Sequence, residues 1–327
     1  MSTPLEPTGG LDTLENAIEL KDVEGLSQGQ IVRRRFFRHR GALLGLLTLT
    51  GVAVLAYTSI GAFGIPGWWK FDHVTPADVV NGGSPTMSLP TWLGGSGFAI
   101  GDHPFGQDEI GRDIFARTMK GTQTSIDVMV IISVLAALIG MTIGAVAGFY
   151  RGWVDQALMR FTDLFITFPV IVIGAVLGKF AGQAGAFWLA VALGAISWTT
   201  LARLVRGEFL TLREREFVDA ARILGYSRAR IIFSEILPNL SASILPVFFA
   251  LQVAQSIVLE AGLSFLGAGV RPPSASWGTM LSDGAQLISV SPHLVLVPGI
   301  MLIIAALSVN VFGDGLRQAF DPRSSRH

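Results

Sequence analysis

Residues 126–149 read IDVMVIISVLAALIGMTIGAVAGF, an apolar run broken by a single charge, Asp127. A helix needs about 20 largely apolar residues to cross the hydrocarbon core of a bilayer. This run supplies them, and it carries Gly140, Gly144 and Gly148 at four-residue spacing. Small residues so spaced let a second backbone approach closely, where no hydrophobic force drives helices together. Gly174 and Gly178 repeat the spacing further along. Both sets read as packing within one bundle in preference to a dimer interface.

Five further stretches qualify as spans: 41–63, 161–178, 187–205, 241–262 and 292–313. A soluble protein can bury one such run, but not six. The expected fold is an all-α integral membrane bundle of six transmembrane helices. Composition agrees, with half the residues hydrophobic, 15% charged and a mean hydropathy of +0.54. A soluble domain carries nearer a quarter charged residues, about 25%. Net charge is zero, which gives no ground for nucleic acid as a partner. The absence of cysteine excludes disulfides, iron–sulfur clusters and thiol catalysis within the chain. Five scattered histidines argue against a zinc site.

Residues 1–26 are polar and mostly acidic and are expected to form a disordered cytosolic tail. Segment 27–40 holds Arg33, Arg34, Arg35, Arg38 and Arg40 and reads as a basic helix lying on the inner leaflet. The first span, 41–63, follows. A cleavable signal would place its basic cluster at the extreme N-terminus, so this order predicts a retained anchor. Lysine and arginine collect on the cytosolic side of membrane proteins. With the N-terminus inside, only Lys70, Arg112, Arg117, Lys120, Lys179 and Arg271 of the 24 fall outside. Both termini are then cytosolic, including the tail 314–327. The core domain, 126–313, is preceded by a long outer loop, 64–125, and interrupted by a long inner one, 206–240.

The inner loop is the most informative segment. Glu208 to Leu224 has the pattern of one helix. Gly225 stands where a left-handed cap is needed, Ser227 is a good N-cap for a second helix, and Pro238 is expected to end that helix after Leu237. Ala220 and Ala221 leave room for close approach by another surface. The stretch Asp219-Ala220-Ala221, Arg222, Gly225-Tyr226-Ser227 and Leu237-Pro238 resembles the Glu-Ala-Ala, Gly, Leu-Pro pattern of ABC-importer permeases. Asp219 stands for the usual Glu, and Glu235 for Ile. Three other strings are similar to dipeptide and oligopeptide permeases of the C-type. These are His103 to Asp113, Leu263 to Gly278 with its Pro272-Pro273, and Gly313 to Arg323.

That resemblance implies a type I importer. This chain would form the path with a second homologous permease, driven by two ATP-binding subunits and fed by an extracytoplasmic solute-binding protein. The loop 206–240 would dock in the ATPase. Peptides are the implied cargo, with nickel complexes, glutathione or sugars as alternatives. The sequence has no Gly-x-x-x-x-Gly-Lys-Ser/Thr string, so ATP and its Mg would be bound by partners, and the chain itself is not an enzyme.

Single residues carry alternatives. Asp219 either meets a partner or pairs with Arg222 or Arg215 on its own helix. Glu260 either lines the path or gate, since intramembrane acids face an interior, or marks an interface beyond an earlier end of the fifth span. Trp68, Trp69 and Trp277 read as interfacial anchors. Asp163 is expected to be solvated, and Asn310 and Asp314 to cap or cross-link helices. An ion-driven transporter would show broken helices and charged sites mid-span. A membrane enzyme would show convergent His, Asp or Ser groups. A scaffold would not need the capped, charged loop.

Overall fold

A computed structural model describes residues 28–62, 64–88, 91–93, 95 and 97–320. The expected acidic tail 1–26 lies outside them, as does the end of the chain from 321. The chain opens with α1 (Gln28–Arg38) and α2 (Arg40–Ser59), the second capped where Ala42 N–H donates to His39 Nδ1 at 2.9 Å. A two-residue hairpin follows, β1 (Gly61–Ala62) with β2 (Ile65–Pro66).

The founding apolar run lies inside α3 (Ile114–Tyr150), which starts twelve residues earlier and spans 37 residues. Its start is set by Asp113, whose carboxylate accepts from Ala116 N–H at 2.8 Å and from Trp69 Nε1 at 2.9 Å. The other carboxylate oxygen pairs with His103 Nδ1 at 2.8 Å. Buried Gln107 ties the same loop together through Val80 N–H, Asp78 O and Gly111 O. Much of the string His103 to Asp113 is thus the folded cap of the central helix. Trp69 is half-buried and bonded here; Trp68 is exposed.

Helix α3 is the axis against which α2 and the later helices pack. The expected span 161–178 is instead two helices, α4 (Gly152–Thr167) and α5 (Val170–Ala181), bent by 81°. The cause is Pro169. The residue before a proline is driven out of the helical region, and Phe168 sits at φ −94°, ψ 136°. The expected span 187–205 lies within one candidate span, Ala186–Leu212, made of α6 (Ala186–Gly194) and α7 (Thr199–Leu212) joined by a tight turn. Among the described residues five helices are long and apolar enough to cross a membrane, or six if the bent α4–α5 pair counts as one span.

The glycine ridge of α3 meets α7. A methyl group at Gly140 would lie 2.8 Å from Trp198 O, at Gly144 2.5 Å from Ala202 O, and at Gly148 2.5 Å from Phe209 Cβ. Gly174 and Gly178 on α5 serve likewise against Leu263 and the Ala268 carbonyl. These are contacts inside one chain.

Beyond α7 come α8 (Glu216–Ile223), α9 (Leu237–Phe265), α10 (Trp277–Ala285) and α11 (His293–Phe320). Helix α11 lies along α2 and continues to Phe320, beyond the expected start of a tail at 314. There Asp314 is exposed, and Asn310 donates one turn back, to Ala306 O at 2.8 Å. Asp163 is exposed but paired, 2.6 Å from Arg203. Two ends result. One gathers the hairpin, the 67–113 loop and α10; the other gathers α1, α8 and the residues around Ser227.

Candidate functional site

The expected helix Glu208–Leu224 is interrupted. α7 stops at Leu212, and Arg215 is extended at φ −85°, ψ 149° before α8 begins. Arg213 donates to Phe149 O at the end of α3, and Glu214 pairs with Arg151 at 2.9 Å. These tertiary ties turn the chain where helical periodicity would carry it on.

Helix α8 ends on a motif of two nested bonds. Tyr226 N–H donates to Ala221 O at 3.1 Å and Gly225 N–H to Arg222 O at 3.0 Å. Such a cap requires a left-handed residue, for which glycine alone carries no steric penalty. Gly225 has φ +76°, and a side chain there would meet nothing within 4 Å. The need is purely conformational. Ser227 Oγ then accepts from Arg230 N–H at 3.3 Å, starting a turn, Arg228–Arg230. That turn runs through a π-helical segment, Ile231–Ile236, directly into α9.

Pro238 therefore does not terminate the second helix; it lies in the first turn of α9. Inside this continuous helix the proline withholds one backbone donor from the preceding turn. The wider π turn, closed by Leu237 N–H to Ile232 O, gives the ring room against that turn. Leu237 is half-buried and Pro238 exposed.

The inward face of this helix–turn–helix is held firmly. Val218 and Ala221 join Phe149, Phe209, Ile231, Ile232 and Ile236 in one buried cluster. Ala221 is thus a floor residue, not part of an approachable surface; of the alanine pair only Ala220 is exposed. The outward face carries Asp219, Ala220, Arg222, Ile223 and Leu224. Asp219 bonds Arg222 at 2.8 Å, both side chains being well exposed. An exposed pair contributes about 0–1 kcal/mol, so either partner exchanges for an intermolecular one at little cost. The Arg230 guanidinium stacks 3.9 Å over Tyr226.

Sequence reasoning missed Ile223 and Leu224, which are 87% and 70% exposed. The signal was present. With Val218 and Ala221 on the inward face of an eight-residue helix, Ile223 falls opposite them, where a solvated helix would place a polar residue. Two large aliphatic side chains inside a ring of charges form an apolar knuckle suited to a protein partner.

Glu260 lies away from this site, within α9 and five residues before its end, so the helix does not stop short of it. It is buried at 1% exposure and accepts from Ser125 Oγ at 3.0 Å and Ser264 Oγ at 2.7 Å. Ser264 Oγ also accepts from Val270 N–H at 3.1 Å. Beside it Trp277 is fully buried, its Nε1 donating to Thr122 Oγ1 at 3.1 Å. Trp277 is a core residue at the start of α10, not an interfacial anchor, because a tertiary hydroxyl satisfies its N–H.

Residues 140–326 match the family of the binding-protein-dependent transport system inner membrane component. The chain belongs to this family. It is an all-α, multi-pass permease of the type I ABC-importer class. Among similar proteins, the oligopeptide transport system permease protein OppC of Haemophilus influenzae is 35% identical over 313 residues, 96% of this chain and 94% of that one. A Brucella ovis protein named for a peptide permease is 41% identical over 304 residues, 91% of this chain and 93% of that one. OppC of Mycobacterium tuberculosis is 35% identical over 302 residues, covering 92% and 97%.

Proposed function

We propose that this permease is one of two in an ATP-driven importer of short peptides. Its α8 knuckle is docked on a separate ATPase subunit, which supplies the ATP and Mg site. Both termini and α8 then face the cytosol across the cytoplasmic membrane, and α10 faces an extracytoplasmic binding protein. The arginine placement supports that orientation, and the names of the similar proteins support the cargo. One observation carries the coupling: α8 presents an exposed apolar knuckle, while its other face is fused to the cluster joining α3, α7 and α9. Force applied at Ile223 reaches the bundle without passing through a soft joint.

Gly225→Val tests this. A left-handed conformation costs an L-residue about 1–2 kcal/mol and a β-branched one more, while nothing nearby is displaced. The cap loosens and the bundle stays intact. In the reconstituted importer, ATP hydrolysis should persist while peptide uptake falls. Full uptake by this variant would remove the coupling assignment.

A further inference from the structure

At the α10 end a cavity of about 640 Å³ opens between the Asp108–Arg112 turn, the Gly267–Ser274 segment and α10. That volume lies inside the range of about 300–1,000 Å³ typical of small-ligand pockets. Its wall contains three arginines and three acids, so the cavity as a whole is neutral.

Four of these charges neutralise one another and stiffen the wall. Asp108 accepts from Arg112 Nε at 2.6 Å and from Arg112 N–H at 2.8 Å, and lies 3.6 Å from Arg117. Arg117, its side chain 9% exposed, reaches Asp283 on α10 at 3.2 Å. The remaining two, Glu109 and Arg271, make no ion pair among the described residues. Glu109 and Arg271, both exposed, thus line a half-enclosed space as one anion and one cation without an ion pair among the described residues.

We infer that this cavity receives a short peptide with both termini charged, at the moment it enters the permease. The peptide carboxylate is taken by Arg271 and its ammonium by Glu109. This rests on the peptide reading above. A neutral wall with one spare charge of each sign favours a zwitterion over a simple anion or cation. Ile110 and Leu287 supply apolar surface indifferent to side-chain identity. The arrangement reads the feature every unblocked peptide shares and ignores its sequence.

The test uses the complete importer in proteoliposomes, with its binding protein loaded with Ala-Ala-Ala. Arg271→Gln and Glu109→Gln should each lower kcat for uptake about tenfold, the loss expected for one charge-assisted bond. KM for the loaded binding protein should stay at the wild-type value, and Arg271→Lys and Glu109→Asp should restore most of the rate. A rise in KM that accounts for the lost uptake would assign these charges to docking of the binding protein and overturn the proposal. Unaltered kcat in both Gln variants would overturn it as well. Failure of the wild-type importer to take up any di- to pentapeptide would instead remove the peptide reading itself, and this occupant with it.

Discussion

Gly144→Ala should destabilise this protein although alanine is the better helix former. Gly144 lies in α3 six residues before its end, where an added Cβ would sit 2.5 Å from Ala202 O and 2.8 Å from Val205 Cβ on α7. Ordinary carbon contacts need about 3.5–4.0 Å. The obstructing atoms belong to the backbone and a Cβ, which no rotamer change can move, so α7 must back away by about 1 Å along the ridge. Overpacking of this kind costs about 1–3 kcal/mol, against a helix-propensity gain of about 0.5–1 kcal/mol. The net is a loss of roughly 1–2 kcal/mol. Gly51 in α2 supplies the control: nothing lies within 4 Å of a Cβ there, so Gly51→Ala should be neutral or slightly stabilising. Heating the detergent-solubilised chain and following the monodisperse fraction by size exclusion ranks the two variants. At about 2–4 °C per kcal/mol, Gly144→Ala should fall several degrees below Gly51→Ala. Equal midpoints would mean that α3 and α7 are not in the close contact described.

Ile223→Asp should leave folding within about 0.5 kcal/mol of wild type, because the side chain is 87% exposed. It should weaken retention of the ATPase subunit about tenfold or more, since a buried aliphatic anchor contributes about 1.5–3 kcal/mol; co-purification at wild-type strength would count against the docking surface. Glu260→Leu leaves the hydroxyls of Ser125 and Ser264 facing an apolar group and should cost about 2–4 kcal/mol. Glu260→Gln, which keeps an acceptor and offers donors to the rotatable hydroxyls, should cost about half as much. Limited proteolysis of the 266–276 segment reads the difference, and equal resistance in both variants would show that the carboxyl group does not anchor it.

The membrane class and the capped loop were legible because both rest on local rules. Apolar length identifies spans, and Gly225 followed by Ser227 spells a cap-to-cap turn whatever surrounds it. The glycine ridge was legible too, since four-residue spacing fixes a helix face. The departures arise where tertiary partners decide. Nothing near Arg213 in sequence announces that its guanidinium will reach Phe149 O, so the Glu208–Leu224 periodicity suggested one helix where there are two. Trp277 looks like an interfacial tryptophan until Thr122, distant in sequence, accepts its N–H. Pro169 was different: the signal lay in the dipeptide Phe168-Pro169, and apolar length outweighed it. Pro238 misled in the opposite direction, because the helix runs through it on a π turn that nothing in the local sequence announces.

One helix joins the two ends of the molecule. From Arg228, through the π turn, to Phe265 the backbone stays helical, a path of about 55 Å at 1.5 Å per residue. Its first part is gripped by the cluster under α8, through Ile231, Ile232, Ile236 and Leu240. Its middle is gripped by a second cluster, where Val253, Ala254 and Ile257 meet Trp277, Ala305 and Val309. Near its far end Glu260 and Ser264 fasten the segment leading to Val270. A helix seated along its length in close-packed side chains does not flex independently of them. Under the coupling proposed above, a displacement of α8 would pass into the helices packed around α9. The proposed docking surface and the cavity beside α10 thus lie at opposite ends of one continuous helical path, which passes through the π turn and Pro246.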